Sequence, residues 1–426
     1  MRIVASGEGI DAESLRGHVA AGRVVIPANI LHLEKGLNPM GIGRPISTKV
    51  NANIGTSSAG YTMAAEIEKL QTALEAGADT VMDLSTGGDL DDIRAELLVR
   101  CPVPFGTVPI YQIIEGRQVD EVDCDLILRT IARQADQGVD FFTIHAGILK
   151  EHLPLLEKRV GGIVSRGGAI LAKWMIRHGR QNPLYEMFDE IAAILRRHDV
   201  CFSLGDGLRP GAIADATDQA QMAELRVLGE LTYRAREMGC QVMVEGPGHV
   251  PFNQIPYNMQ IQQQLCDDAP FYVLGPVVTD VAPGYDHITG AIGATAAAFH
   301  GASFLCYITP SEHLCLPVAE EVRMGVIASK IAAHAADVAR GLPGADERDN
   351  RLSWARGRLD WDKQISESLD PKRALLLRNR ACEQMGIGGK SSPDYCSMCG
   401  KDWCSLRINR DIRELPFRRP AKSLSE

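Results

Sequence analysis

Between residues 24 and about 309, short runs of apolar and β-branched residues alternate with longer stretches whose apolar residues recur every three or four positions. The short runs are VVIP (24–27), KVNANIG (49–55), TVMDL (80–84), GTVPIY (106–111), FFTIHA (141–146), GGIVSRG (161–167), CFSLGDG (201–207), QVMVEG (241–246), FYVLGP (271–276) and FLCYIT (304–309). Runs of this length bounded by turn residues read as buried strands. The longer stretches, such as MAAEIEKLQTALEAGA (63–78) and AQMAELRVLGELTYRAREMG (220–239), read as helices that end near glycine. Repeated strand–helix units imply a parallel sheet. About eight of them in roughly 300 residues predict an α/β fold of the (β/α)8 TIM-barrel type. Ten candidate strands exceed eight, so one or two are expected to be capping hairpins or loop strands. No G-x-G-x-x-G opens a helix after the first strand, which weighs against an open dinucleotide-binding sheet.

Polar residues fall in a consistent register on this pattern. Most of the apolar runs end in groups able to do chemistry: Asn51 and Asn53, Asp83 and Ser85, Tyr111, His145, Ser165 and Arg166, Asp206 with Arg209, Glu245 with His249, and Glu312 with His313. A barrel enzyme builds its active site from the C-terminal ends of different strands, so this register predicts one shared pocket. After about residue 343 the character changes. Charged helical patterns (346–377) lead into GIGGKSSPDYCSMCGKDWCSLR, which reads as a small helical C-terminal domain and a cysteine-bearing loop. The expected organisation is an N-terminal segment (1–22), a catalytic barrel (23–342), a helical domain (343–390) and a cluster loop with tail (391–426).

Composition narrows the partners. Apolar residues make up 45% of the 426 and charged residues 23%, an ordinary globular balance. With 45 basic and 54 acidic residues the formal net charge is -9, which argues against a nucleic-acid or membrane-surface partner. An anionic small molecule remains compatible, because a few arginines and backbone N–H groups can hold a phosphate within an acidic protein. The N-terminus has early acidic residues and no apolar h-region, so no secretory signal is expected and the location is read as cytoplasmic. The long uncharged stretch at 287–310 is read as a buried barrel segment rather than a membrane span.

Of the eleven cysteines, eight are scattered singly beside apolar runs and read as small buried hydrophobes of a reducing compartment. Cys396, Cys399 and Cys404 form a C-x2-C-x4-C cluster. A structural zinc site takes four protein ligands, yet no histidine follows His334, and Cys382 lies well upstream of the cluster. A three-cysteine [4Fe–4S] cluster has no such deficit, because its fourth iron stays open. An open iron can chelate S-adenosylmethionine (SAM) and deliver an electron to its sulfonium. Spacing alone leaves both readings standing.

The motifs KVNANIGTS, TVMDLSTGGD, GTVPIYQ, TIHAG, GIVSRGG, SLGDGLRPG, EGPGHVP, FYVLGP, APGYDHI, CYITPSEHLCLP, KIAAHAAD and CSMCG with the following Cys404 together resemble the phosphomethylpyrimidine synthase family, enzymes that form the thiamine pyrimidine. The resemblance spans about residues 24–407 and is of a short form without the extra N-terminal domain of longer members. It implies a barrel homodimer in which each cluster loop reaches towards the partner subunit's active site. It also implies a [4Fe–4S] cluster on Cys396, Cys399 and Cys404, with SAM on its open iron and a reductant such as a flavodoxin or ferredoxin. The family converts aminoimidazole ribotide to 4-amino-5-hydroxymethyl-2-methylpyrimidine phosphate, with formate, carbon monoxide, methionine and 5′-deoxyadenosine as the other products. A close paralogue, 5-hydroxybenzimidazole synthase, takes the same substrate to a cobamide lower base. A third reading, from another class, is a non-catalytic cluster- or zinc-binding sensor on a retained barrel.

By the same resemblance, Asn53, Met82, Tyr111, His145, Ser165, Arg166, Gly167, Asp206, Gly207, Leu208, Arg209, Glu245 and Tyr272 are substrate-pocket residues. Their chemistry agrees. Ser165-Arg166-Gly167 offers a hydroxyl, a guanidinium and a glycine that lets backbone N–H groups approach, which suits a phosphate. Asp206 and Glu245 can accept from ribose hydroxyls or the amino-imidazole, and Arg209 can anchor an oxyanion. His249 and His313 resemble a second metal site, for one divalent ion (zinc or iron), formed from the ends of neighbouring strands. His287 reads as structural or supporting, and Cys315 stands two residues past His313.

Overall fold

Strands that are apolar on both faces must be covered on both faces, and a ring of helices around a closed sheet is the economical solution. The computed structural model describes residues 1–414 apart from 58, 59, 61, 387–394 and 396. Eight parallel strands close into a barrel in sequence order. They are β1 (Lys49–Ile54), β2 (Thr80–Asp83), β3 (Phe105–Thr107), β4 (Phe141–Ile144), β5 (Cys201–Leu204), β6 (Val242–Gly246), β7 (Phe271–Leu274) and β8 (Phe304–Cys306). The (β/α)8 expectation is met. The chain divides into two compact units, residues 1–342 and 343–426.

Two of the ten candidate strands are not barrel strands. The first, 24–27, contributes a single antiparallel bridge between Val25 and Ile42. The second, 161–167, is a loop that turns into the helix Arg166–His178, with the Ser165 hydroxyl accepting from the Gly168 N–H at 3.2 Å. A run ending Ser-Arg-Gly-Gly has an N-cap and few side chains to fill a barrel layer, so capping wins over pairing. The run 106–111 also divides. β3 stops at Thr107 and Pro109 opens the helix Pro109–Ile114, so Tyr111 rides on a helix rather than a strand end. The two amphipathic stretches fold as the helices Met63–Glu75 and Gln219–Glu237, capped by Thr62 and Asp218. Residues 287–310 supply most of the helix Asp286–His300 and then β8. Among the described residues no helix is long and apolar enough to cross a membrane.

The barrel interior grades from apolar to polar along the strands. Phe141 and Phe304 meet edge to face at 6.3 Å, and the Tyr272 ring lies 4.2 Å from that of Phe304. Gly106, in register with Phe141, carries no side chain because any Cβ there would run into the Phe141 ring. Beneath the strands, the N-terminal helices Arg2–Gly7 and Ala12–Ala20 form a small core from Val4, Ala5 and Leu15 with Val24 and Ile46. Glu8 reaches Lys49 of β1 at 2.7 Å in a buried ion pair. Towards the strand C-termini the inward positions turn polar: Asn53, Thr143, Glu245 and Cys306. The second unit contains the helices Glu347–Arg358, Trp361–Ser366, Pro371–Gln384 and Ser405–Glu414. Within it the Arg378 guanidinium stacks on Trp361, 3.8 Å from the ring centroid.

Candidate active site

Strand alternation turns every second residue inward, and the last inward residue of each strand faces the open end of the barrel. Asn53 (β1), Met82 (β2), Glu245 (β6), Tyr272 (β7) and Cys306 (β8) reach a cavity of about 470 Å³. His145, Asp206 and Arg209, from the segments after β4 and β5, line it too, as does Tyr111. Hydrogen bonds tie these side chains to one another across strands. Asn51 donates to Asn53 Oδ1 at 2.7 Å and to the Tyr272 hydroxyl at 2.8 Å. Thr143 and Ser203 both donate to Glu245 Oε1, at 2.7 and 2.8 Å, across β4, β5 and β6. Rotamers locked in this way hold the cavity wall in one shape.

Charge is concentrated on one side of the cavity. Arg209 donates to Asp206 Oδ1 at 2.8 Å. Burial pushes the Asp206 carboxyl up to about 7, against the pull of Arg209 and with a push from Glu245. Burial opposes the Arg209 charge, and the Asp206 carboxylate more than restores it. Glu245 is raised by burial against its two hydroxyl donors. Burial, helped by the nearby Arg209 charge, drives His145 down to about 3, so its imidazole is neutral. His145 Nδ1 and Asp206 Oδ2 are buried without a hydrogen-bond partner among the described residues. Buried polar atoms are rarely left unpaired. Two such atoms on one cavity wall are what a ligand-binding site presents.

Ser165, Arg166 and Gly167 sit beside this cavity at a helix N-terminus, where backbone N–H groups favour an anion. The Ser165 hydroxyl lies 3.2 Å from His145 Nε2, and a Cβ on Gly167 would strike the His145 ring. The exposed Arg166 guanidinium lies over the Tyr111 ring, 4.8 Å from its centroid. Gly207 and Leu208 play a different part from the others. Leu208 is wholly buried, its N–H donates to Glu224 at 2.7 Å, and its carbonyl accepts from Arg159 at 2.6 Å. These contacts fix the loop that carries Asp206 and Arg209.

His249 and His313 come together, though not from neighbouring strands. They follow β6 and β8, with β7 between, and their ring centroids are 5.1 Å apart. The loop after β6 crosses the end of β7, bridging His249 to Val277 in parallel pairing, which brings the imidazole across. His249 Nδ1 pairs with Asp280 at 2.7 Å and His313 Nδ1 with Asp286 at 3.1 Å. A carboxylate on Nδ1 leaves Nε2 as the ligating nitrogen and is the usual support of a metal-bound histidine. The donor set fits a divalent ion with open coordination positions. Among the described residues no group of three or more His, Cys, Asp or Glu side chains is gathered as a fuller metal site. Cys315 is exposed and lines an adjoining groove with Glu312 and Arg166.

Within the second unit, Cys399 is exposed and Cys404 is buried at the start of the helix Ser405–Glu414; both are free thiols. Cys396 lies outside the described residues. Three thiols with no histidine nearby in sequence suit a three-ligand iron–sulfur cluster better than a closed zinc site.

Three supporting carboxylates were not singled out from sequence. Asp280 and Asp286 carry the two histidines; Asp280 lies in the loop after β7, and Asp286, within the motif APGYDHI, opens the helix Asp286–His300. Glu224 had a clearer signal: it lies on the buried face of the helix Gln219–Glu237, among Ala220, Leu225 and Leu228. A carboxylate on an apolar helix face has been placed there for a partner.

A sequence profile described as the radical SAM ThiC family matches residues 1–411. The phosphomethylpyrimidine synthase of Natronomonas pharaonis is 58% identical over 415 residues, covering 97% of this chain and 86% of that protein. Its namesake in Halobacterium salinarum is 56% identical over 417 residues, with the same coverages. Among solved structures, the dihydropteroate synthase of Yersinia pestis covers 71% of this chain and 96% of its own at a TM-score of 0.41 and 12% identity.

Proposed function

The chain belongs to the radical SAM ThiC family, and from that premise we propose that it converts aminoimidazole ribotide to 4-amino-5-hydroxymethyl-2-methylpyrimidine phosphate in thiamine biosynthesis. Formate and carbon monoxide leave with methionine and 5′-deoxyadenosine. One observation carries the reading: the polar ends of six of the eight strands or their following loops meet in a single cavity whose His145 Nδ1 and Asp206 Oδ2 have no partners among the described residues. Kinship with the synthases named above supports the choice of substrate.

The roles follow from position. Arg166, the Ser165 hydroxyl and the N–H group of Gly167 hold the substrate phosphate at the helix N-terminus. Asp206 and Glu245 accept from the ribose hydroxyls and the amino-imidazole. The neutral His145 offers Nδ1 without adding charge. Met82 and Tyr272 wall the cavity and exclude water. Asn53 orients the far edge of the substrate, and Tyr111 stacks beneath Arg166. Cys396, Cys399 and Cys404 are the ligands of a [4Fe–4S] cluster, and His249 and His313 those of one zinc or iron ion. When bound, the cluster and SAM supply a 5′-deoxyadenosyl radical. The barrel's part is to present one ribose C–H bond and shield it from solvent. The working form is proposed to be a cytoplasmic homodimer, with each cluster loop serving the partner subunit's site and a flavodoxin or ferredoxin as reductant.

The test is anaerobic. The chain is reconstituted with iron and sulfide, given aminoimidazole ribotide, SAM and a reductant, and its products are identified by mass spectrometry. The pyrimidine phosphate with 5′-deoxyadenosine is the expected result. 5-Hydroxybenzimidazole would move the chain to cobamide synthesis, and intact SAM over a verified cluster would make it a sensor.

A further inference from the structure

A second cleft, of about 1320 Å³, opens at the opposite end of the barrel, among the segments that lead into β7 and β8 and the end of the helix Ala319–Ala339. Arg23, Arg44, Arg340, Gln263, Asp268 and Ser303 line it. Helices of a βα barrel run back down from the strand tops, so their carbonyl ends, with partial negative charge, collect on this face. Arg340 answers that charge. It follows the helix Ala319–Ala339 and donates to Asp337 at 3.0 Å, to Thr48 at 3.1 Å and to the Arg44 carbonyl.

Arg44 and Arg23 are not used up in this way. The Arg44 guanidinium is exposed and forms no ion pair or side-chain hydrogen bond among the described residues. Arg23 lies against the His18 ring, 3.2 Å from Nδ1, a partner that cannot neutralise it. Arg340 is already paired with Asp337, so Arg23 and Arg44 face one carboxylate of the lining, Asp268, a surplus of one positive charge. Arg340 is pushed down by burial, and the like charge of Arg44 adds to that push against the support of Asp337. Ser303 is wholly buried and its hydroxyl has no partner among the described residues. The Gln263 amide, donating to the His300 carbonyl at 3.2 Å, adds a further N–H group at the rim.

Like charges gathered in a cleft, with a spare hydroxyl at its wall, are stable when an anion joins them. Guanidinium forks match the oxygens of a phosphoryl group, and the space exceeds what one phosphate fills. We infer that this cleft is a second binding site, for a phosphate-bearing small molecule, built on the face of the barrel away from the substrate cavity. Arg44 and Arg23 grip the phosphoryl oxygens, and Ser303 with Gln263 lies beneath the remainder of the ligand. The inference does not depend on which reaction the upper cavity performs.

The experiment uses the full chain carrying Arg166→Ala, so that phosphate binding at the upper cavity is weakened. Pyrophosphate, inorganic phosphate and a nucleoside monophosphate are titrated calorimetrically at low salt. Pyrophosphate is expected to bind, with affinity falling about tenfold or more when Arg23→Ala and Arg44→Ala are added. Both side chains are exposed, so the melting temperature of the triple variant should match that of Arg166→Ala. Tighter binding of the nucleotide than of inorganic phosphate would identify the ligand as an ester, and the reverse order as the free anion. The inference is overturned if the Arg166→Ala chain binds none of the three, or if the added substitutions change the affinities by less than about twofold.

Discussion

His249 and His313 leave strands that do not touch, yet their rings meet edge to face with an interplanar angle of 67°. The segment after β6 makes this possible by lying across the end of β7: the Val250 N–H bonds the Val277 carbonyl at 3.1 Å, and the Val277 N–H bonds the Gly248 carbonyl at 2.8 Å. A backbone ladder, rather than side-chain packing alone, therefore sets where the first imidazole stands. The two aspartates then fix which ring nitrogen is offered.

Replacing either histidine by alanine is expected to abolish zinc or iron binding at this site. Asp280→Asn should leave the ligand in place but weaken metal affinity by about 10- to 100-fold, because the carboxylate orients the ring and raises its basicity. Metal content after dialysis, with the cysteine cluster removed by substitution, is the measurement. Undiminished metal in His249→Ala would assign the ion to other ligands.

Glu224 is a positioning residue. One oxygen accepts from Leu208, the other is buried without a partner among the described residues, and burial next to Asp206 holds the carboxyl well above the usual range. A carboxyl whose charged form is disfavoured by burial tolerates a neutral amide in its place. Glu224→Gln should keep stability within about 1 kcal/mol, whereas Glu224→Ala should cost roughly 2–4 kcal/mol by stranding the Leu208 N–H and opening a void. Because that loop carries Arg209, the alanine variant should raise KM more than it lowers kcat. Equal stability of the two variants would remove Glu224 from this role.

Much of the barrel was legible because its strands obey local rules: short apolar runs, turn residues at both ends, helices between. Two of the ten candidate runs stand outside the barrel, as their excess over eight led us to expect: 24–27 has no open edge to join once eight strands close, and 161–167 turns into a helix capped by Ser165. The cavity residues were legible as strand-end polar groups. Asp280 and Asp286 were not, because an aspartate that supports a histidine cannot be told by sequence from one that caps a turn or opens a helix. The crossing of β7 by the preceding segment, which pairs His249 with His313, is a tertiary fact with no local signature.

Gly168 marks where the helix Arg166–His178 approaches the loop after β5. A Cβ there would run into the Gly207 carbonyl, which is backbone and cannot swing aside. Gly168→Ala is expected to destabilise the fold by about 1–3 kcal/mol. It should also push the phosphate seat and the Asp206–Arg209 loop apart. Thermal melting and substrate titration together test this, and an unchanged KM in a destabilised variant would show that the strain is relieved elsewhere.

Asp206 and His145 face one cavity and impose opposite pH dependences on stability. Asp206 has its folded value raised from 3.8 to about 7, so between those values the folded state holds more protons than the unfolded. Its contribution is complete at low pH and is lost as pH rises through about 7. His145 has its folded value lowered from 6.5 to about 3, so over that span the folded state holds fewer protons. Its contribution is complete above pH 6.5 and is lost as pH falls. Where the windows overlap, each slope reaches about 1.4 kcal/mol per pH unit and the two oppose one another, while Glu245 and Glu224, also raised by burial, slope in the same direction as Asp206. Removing one should expose the other. Measured against the parent chain, Asp206→Asn is expected to gain melting temperature as pH goes from about 4.5 to 6.5, and His145→Gln to lose it over the same range. Arg209 stays charged throughout and adds no slope. Parallel difference profiles for the two variants would mean that neither group titrates as its surroundings dictate; mirror-image profiles would show that the cavity wall holds a protonated acid beside a neutral imidazole.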